Sequence, residues 1–166
     1  SDTNIARALN LLRAGLAKPI SQPREQMTFS TLLPELGPMR DLGKVLAIQQ
    51  YVLLADGRVQ EALGIARTGM KLGRAIQMDT LIAGLVGVAI EAITIQPLAQ
   101  HLEQLSQRDT VTLYQICLEW LNQPNPQSAL LQAERQWMRA SLFEMRDTAK
   151  KEGPERIARD LGINTK

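Results

Sequence analysis

The chain has 166 residues, enough to bury a core without disulfides or metals, and its length predicts a single helical domain over 1–166. Aromatic residues make up 4%, Leu, Ala, Gln, Arg and Ile recur at helical spacing, and β-branched alternation is missing, so the composition excludes a sheet protein and predicts an all-α fold. A net charge of +2, with Lys and Arg interspersed among Asp and Glu, leaves no nucleic-acid footprint, and Cys117, the only cysteine, excludes an internal disulfide.

Asp2 or Thr3 can cap a first helix whose apolar residues Ile5, Leu9, Leu12 and Leu16 make one buried face. Residues 18–37 read as a long proline-containing connection, with Pro19, Pro23 and Pro34 before Pro38; Met27, Phe29, Leu32 and Leu33 are expected to anchor it, and Ser30–Leu36 is the place for a short helix. Pro38 suits the first turn of a second helix running to about Ala55, with Leu42, Val45, Leu46, Gln49, Val52 and Leu53 on its inner face. Asp56-Gly57 ends it, and a third helix over about Val59–Ile76 completes an antiparallel hairpin. Along that third helix Ala62, Ala66, Gly69 and Gly73 form a stripe of small side chains, which predicts close approach of another helix.

The organising stretch is Leu81–Ile95, in which Glu91 alone carries charge. A helix apolar on nearly all sides is expected to be wrapped by other helices. It is shorter than the roughly 20 apolar residues of an ordinary membrane span, and a carboxylate in mid-span is costly, so no membrane span is expected in this chain. Asp79 or Thr80 caps it. Pro97 is expected to kink it rather than end it, with Leu98, Leu102 and Leu105 continuing in phase, and Ser106–Thr110 reads as a loop. A fifth helix over about Thr110–Leu121 buries Leu113, Ile116, Cys117 and Trp120. A sixth runs from Pro126 to about Lys150 with Leu131, Met138, Leu142, Met145 and Ala149 inward. Residues 153–166 hold a short seventh helix, Glu155–Leu161, and a tail.

The run Tyr51–Gly73, YVLLADGRVQEALGIARTGMKLG, resembles a tetratricopeptide-type hairpin: a large residue in the first helix, a Gly-containing turn, then Glu61-Ala62-Leu63 opening the second helix with small residues down its inner face. The resemblance covers about 35 residues, once. The whole chain also resembles uncharacterised bacterial all-helical proteins with no assigned activity. Together these imply a single-domain bundle of about six or seven helices, with tetratricopeptide-like antiparallel hairpins around a central apolar helix.

Glu91 is the first candidate for chemistry. At about 100 degrees per residue it shares a seam with Gly84, Gly87, Thr94, Leu98 and His101. It either pairs with an Arg from a neighbouring helix, for which Arg67, Arg74 and Arg135 are the candidates, or lines a ligand pocket opened by the glycines and Pro97. The paired reading is preferred and implies that Gln in its place destabilises the fold. Glu134, on the apolar side of the sixth helix, is the second inward carboxylate. The ligand-binding candidates are therefore Glu91, Thr94, His101 and Glu134.

With His101 the sole histidine and no Glu-x-x-His, a metal site is not expected. No catalytic residue or cofactor is assigned: Cys117 sits on a core face, and no P-loop, GxGxxG, G-x-S-x-G or H-E-x-x-H occurs. The basic edges Arg67, Lys71, Arg74 and Arg135, Arg139, Arg146 read as solvated faces and salt bridges. Glu155–Ile163 resembles the first helix and turn of a DNA-binding helix-turn-helix, but three residues beyond it leave no room for a recognition helix, and no nucleic-acid partner is expected. No signal peptide or lipidation motif is recognisable, and compartment and oligomeric state stay open.

The first functional expectation is a non-catalytic module that presents a groove to a peptide or protein partner. The alternative is a small-molecule or lipid-binding helical bundle with Glu91 in its pocket.

Overall fold

The computed structural model describes residues 2–18, 33–77, 80–124, 126–160 and 162, and contains seven α-helices and one 3-10 turn among them. The helices are α1 (Asp2–Leu16), α2 (Leu36–Ala55), α3 (Val59–Ile76), α4 (Leu81–Gln100), α5 (Gln107–Leu121), α6 (Gln127–Glu152) and α7 (Pro154–Asp160). No strand occurs among the described residues, so the all-α reading holds. Met27, Phe29, Leu32 and Asp79 lie outside the described residues, as do the side chains of Asp2, Thr3 and Ile5.

The centre is a three-helix layer in which α2, α3 and α4 each touch the other two. The α2–α3 turn sets the pairing of its first two helices. Gly57 takes φ 72°, Arg58 N–H donates to the Leu53 carbonyl at 2.8 Å and Gly57 N–H to Leu54 at 3.1 Å, which together close α2 with paired bonds around a left-handed glycine. Arg58 then grips Glu61 through Nε at 2.7 Å and Nη2 at 2.8 Å, across the first turn of α3. The chain reverses within these few residues, and α2 and α3 pack as an antiparallel pair.

The small stripe on α3 faces α4, as its spacing predicts. Ala62 and Ala66 are fully buried, a Cβ added to Gly69 would lie 2.7 Å from Thr94 Cβ, and one on Gly73 would lie 2.6 Å from the Gly87 carbonyl oxygen. Gly87 in turn faces the Gly73 carbonyl. The pairing of 69 with 94 and of 73 with 87 and 91 makes α3 and α4 antiparallel. On α2, Gly43 receives the Ile90 side chain and Tyr51 Oη donates to Gln100 Oε1 at 2.6 Å, so α2 and α4 run parallel in direct contact, each antiparallel to α3.

Several expected faces are rotated or shifted. α2 begins at Leu36, with Pro38 inside its first turn, and buries Gly43, Leu46, Ala47, Gln50, Leu53 and Leu54. Val45 and Val52, expected inside, are exposed with Ile48, because α2 turns its Gly43–Gln50 side into the crevice between α3 and α4. Thr80 caps α4 by accepting from Ala83 N–H at 3.0 Å. α4 runs one turn past buried Pro97 and ends at Gln100. Leu102–Gln104 form a 3-10 turn instead of continuing the helix. The expected loop at Ser106–Thr110 is a helix start: Ser106 and Asp109 form a reciprocal capping box, and Asp109 also accepts from Gln60 of α3.

The central helix is not wrapped on all sides. Leu81, Ile82, Leu85 and Val88 are each about half exposed or more, because α2 and α3 cover only one side of α4. At 20 residues α4 is also long and apolar enough, by length and composition, to cross a membrane, so the argument from shortness does not stand. α5 packs on α3 with Ile116 buried and Leu113, Cys117 and Trp120 partly buried.

α6 starts after Pro126 and meets α4 antiparallel, with Leu130 against Gly84. Its inward side carries Leu130, Glu134 and Ser141, whereas Leu131, Met138 and Leu142 of the expected stripe are exposed. On that side Leu130 meets Gly84 and Glu134 accepts from the Leu81 N–H. Gly153, at φ 87°, turns the chain so that α7 returns along α6, and Phe143 is 56% exposed, with the Arg146 guanidinium 5.0 Å from its ring centroid.

Gly69→Ala should destabilise the protein by about 1–3 kcal/mol, because Thr94 cannot retreat from a new Cβ. Gly64→Ala, on the same helix with no atom near the new Cβ, should stabilise it by about 0.4–1 kcal/mol. Urea unfolding of the two variants checks both signs.

Candidate functional site

The polar cluster of the core forms where the glycines let α3 and α4 meet. Gly73 and Gly87 bring the backbones together, and the Glu91 side chain, one turn beyond Gly87, lies flat across Gly73. Glu91 is 8% exposed. Gln77, one turn after Gly73, donates from Nε2 to Glu91 Oε1 at 2.8 Å, and Arg74 Nε stands 3.9 Å from the same oxygen.

Trp120 of α5 closes the cluster. Its ring lies under the Arg74 guanidinium at 4.6 Å, and its indole N–H acts on the Glu91 carboxylate without completing a well-formed hydrogen bond. The arginine is therefore held between a carboxylate and an aromatic face. Of the three candidate partners, Arg74 is the one within reach of Glu91; Arg67 pairs instead with Glu119 of α5 at 3.1 Å, and Arg135 is exposed on α6.

Burial pushes the Glu91 carboxyl above the ordinary value of 4.5, against the lowering pull of Trp120, Arg74 and Gln77. The folded chain thus holds this proton more tightly than the unfolded chain. The resulting stabilisation is fully present below about 4.5 and is lost as pH rises through the elevated value.

The other three candidates take part in structural contacts of their own. Thr94 is completely buried, and its hydroxyl donates back to the Ile90 carbonyl at 2.8 Å and the Glu91 carbonyl at 3.1 Å. His101 Nδ1 lies 2.8 Å from the Pro97 carbonyl oxygen at the end of α4, and its ring meets Tyr51 edge-on at 6.0 Å. Glu134 Oε2 accepts from the Leu81 N–H at 2.9 Å, so a carboxylate of α6 sits on the positive N-terminus of α4. Leu81 lies ten residues, roughly 15 Å along the helix axis, from Glu91. The structure therefore brings Glu91 and Thr94 into one interface and leaves Glu134 at the far end of α4.

Among the described residues no three of His, Cys, Asp and Glu come close enough together to hold a metal ion, and Cys117 is free and partly buried. The cluster can lock α3, α4 and α5 together. Gln77 was not singled out from the sequence. Its signal was its position four residues after Gly73, on the face that meets α4.

A separate concavity lies on the other side of the layer. α1 rests on α3 and leaves the exposed face of α2 open, forming a groove of about 900 Å³. Leu9, Val45, Ile48, Val52 and Ile65 contribute its apolar lining, and Arg13, Asp56, Arg58 and Glu61 its charges. Glu91, Thr94, His101 and Glu134 do not line it.

Comparison with protein-family models, with curated proteins and with solved structures found no match to this chain.

The Glu91 geometry revises the expected effect of Gln. Since burial outweighs the partners, Glu91→Gln should be at least as stable as the parent at pH 7. As pH falls toward 4.5, the parent should gain stability relative to the variant. Urea unfolding of both proteins from pH 7 to pH 4.5 measures this difference, in which the other carboxylates cancel.

Proposed function

We propose that this protein is a non-catalytic helical interaction module whose α1–α2–α3 groove binds an apolar helix or segment of a protein partner. The observation that carries the reading is the open face of α2. Val45, Ile48 and Val52 are 44%, 63% and 55% exposed in a single line, spaced by three and four residues. That spacing matches the i, i+3, i+7 anchors by which an amphipathic helix is read. The groove volume is in the range of built binding sites, and its charges of both signs favour a partner of mixed rather than uniform charge.

The α2–α3 hairpin supports the same reading. In tetratricopeptide-like hairpins, small residues on the second helix allow close stacking and free the first helix to present a concave side. Ala62, Ala66, Gly69 and Gly73 serve that purpose against α4, and α2 is the helix whose outer face stays open. The alternative, a small-molecule or lipid pocket beside Glu91, has less support, because that carboxylate is engaged by Gln77, Arg74 and Trp120 of the same chain.

A photo-reactive side chain at Ile48 should cross-link the protein to a specific partner in extract from the source cell. Ile48→Glu, an exposed substitution that leaves the melting temperature unchanged, should abolish partner capture by the otherwise unmodified protein. Cross-links from position 48 indistinguishable from those of the same group at exposed Lys71 would overturn the groove as the binding site.

A further inference from the structure

The exposed side of α6 sorts its charges. At about 100 degrees per residue, the apolar Leu131, Met138, Leu142 and Phe143 and the basic Arg135, Arg139, Arg146 and Lys150 fall within one arc of roughly 140 degrees. The acidic residues of the helix, Glu134, Glu144, Asp147 and Glu152, all lie outside that arc. The basic residues of the arc are exposed, and the apolar ones are each more than half exposed. Among the described residues Arg135, Arg139 and Lys150 have no acidic partner, and Arg146 pairs with its chain neighbour Asp147 at 3.0 Å while its guanidinium lies against the Phe143 ring. The helix is fastened from its other side, by Leu130 on Gly84 and Glu134 on the Leu81 N–H, with Ser141 buried farther along. The basic and apolar arc is thereby left free from Leu131 to Lys150, roughly 28 Å along the axis.

We propose that this arc docks in the plane of an anionic lipid bilayer, with Leu131, Met138, Leu142 and Phe143 at the headgroup boundary and the basic side chains on the lipid phosphates. Charge complementarity selects the surface, because cations of one sign with no acid among them are matched by a field of anions and not by a partner of mixed charge. Shape then favours lipid over an acidic protein. The arc is the convex outer side of a helix that rests on α4 and α7, and a convex side forms no pocket for the anchor residue of a protein partner. A bilayer surface takes up a convex amphipathic helix as it stands. The long Arg and Lys stems let the apolar side chains enter the boundary while their charges stay at the phosphates. Charges recur along the whole arc, so α6 lies on the membrane and does not cross it. No residue of α6 lines the α1–α2–α3 groove, so this surface is separate from the one assigned to a protein partner.

In a flotation assay the full chain should rise with vesicles of mixed phosphatidylglycerol and phosphatidylcholine, stay behind with phosphatidylcholine alone, and dissociate as salt is raised. Arg135→Gln and Arg139→Gln should each weaken binding about fivefold. Phe143→Ser should weaken it as well, and all three variants should keep the helicity and melting curve of the parent, because the sites are exposed. Lys71→Gln, at an exposed cation of α3, should bind as the parent does. No flotation with phosphatidylglycerol vesicles, equal flotation with both lipids, or binding indifferent to Arg135→Gln and Arg139→Gln would overturn the proposal. So would a photo-reactive group at Leu142 that, in extract containing membranes, cross-links to a protein instead of lipid through an Arg139-dependent contact, since an acidic partner would then cover the face.

Discussion

Gly73 and Gly87 place the backbones of α3 and α4 in contact, and the rest of the molecule is arranged to keep them there. There the Glu91 side chain lies over Gly73 and the Gln77 side chain over Gly87. Burial raises the proton affinity of Glu91, so the cluster around it moderates a cost more than it supplies a gain. Gln77 satisfies one oxygen from α3, and Arg74 and Trp120 approach from the α3–α5 side. α5 is held against α3 by the same group of contacts, together with Asp109 on Gln60 and Glu119 on Arg67.

From that contact the distribution of apolar surface follows. Because α3 sits so close to α4, α2 turns its Gly43–Gln50 side into the remaining crevice and leaves Val45, Ile48 and Val52 outside. α4, covered by α2 and α3 on one side, leaves Leu81, Ile82, Leu85 and Val88 outside on the other. Both stripes are apolar surface that the described helices leave uncovered. The two stripes lie on different elements, one on α2 beside the groove and one on α4, which does not line it.

Much of the fold was legible in the sequence because its punctuation is strong. Asp56-Gly57 marks the α2–α3 turn, the Ala62–Gly73 stripe marks the helix contact, and Gly153-Pro154 marks the reversal into α7. Misreadings arose where a residue has two local meanings. Ser106 and Asp109 look like loop residues and are a capping box, and the uniformly apolar α4 looked wrapped because a wheel without polar residues has no outer side to point to. The helical wheel of α6 suggested Leu131, Met138 and Leu142 as its inner face. The observed face turns Leu130 and Glu134 toward Gly84 and the Leu81 amide of α4, contacts between residues far apart in the chain that no local pattern contains. At the candidate site, Glu91 and an arginine partner could be anticipated from charge on an apolar helix. Gln77 and the stacking of Arg74 on Trp120 depended on the tertiary crossing.

Native-state hydrogen exchange tests the central place of the α3–α4 contact most directly. The account predicts that the slowest amides are those of residues 66–73 in α3 and 87–94 in α4, exchanging only through global unfolding. The amides of α6 beyond Glu134 and of α7 should exchange earlier, through a separate opening. Equal protection of α6 and of the α3–α4 amides, or faster exchange around Gly73 and Gly87 than in α6, would contradict it.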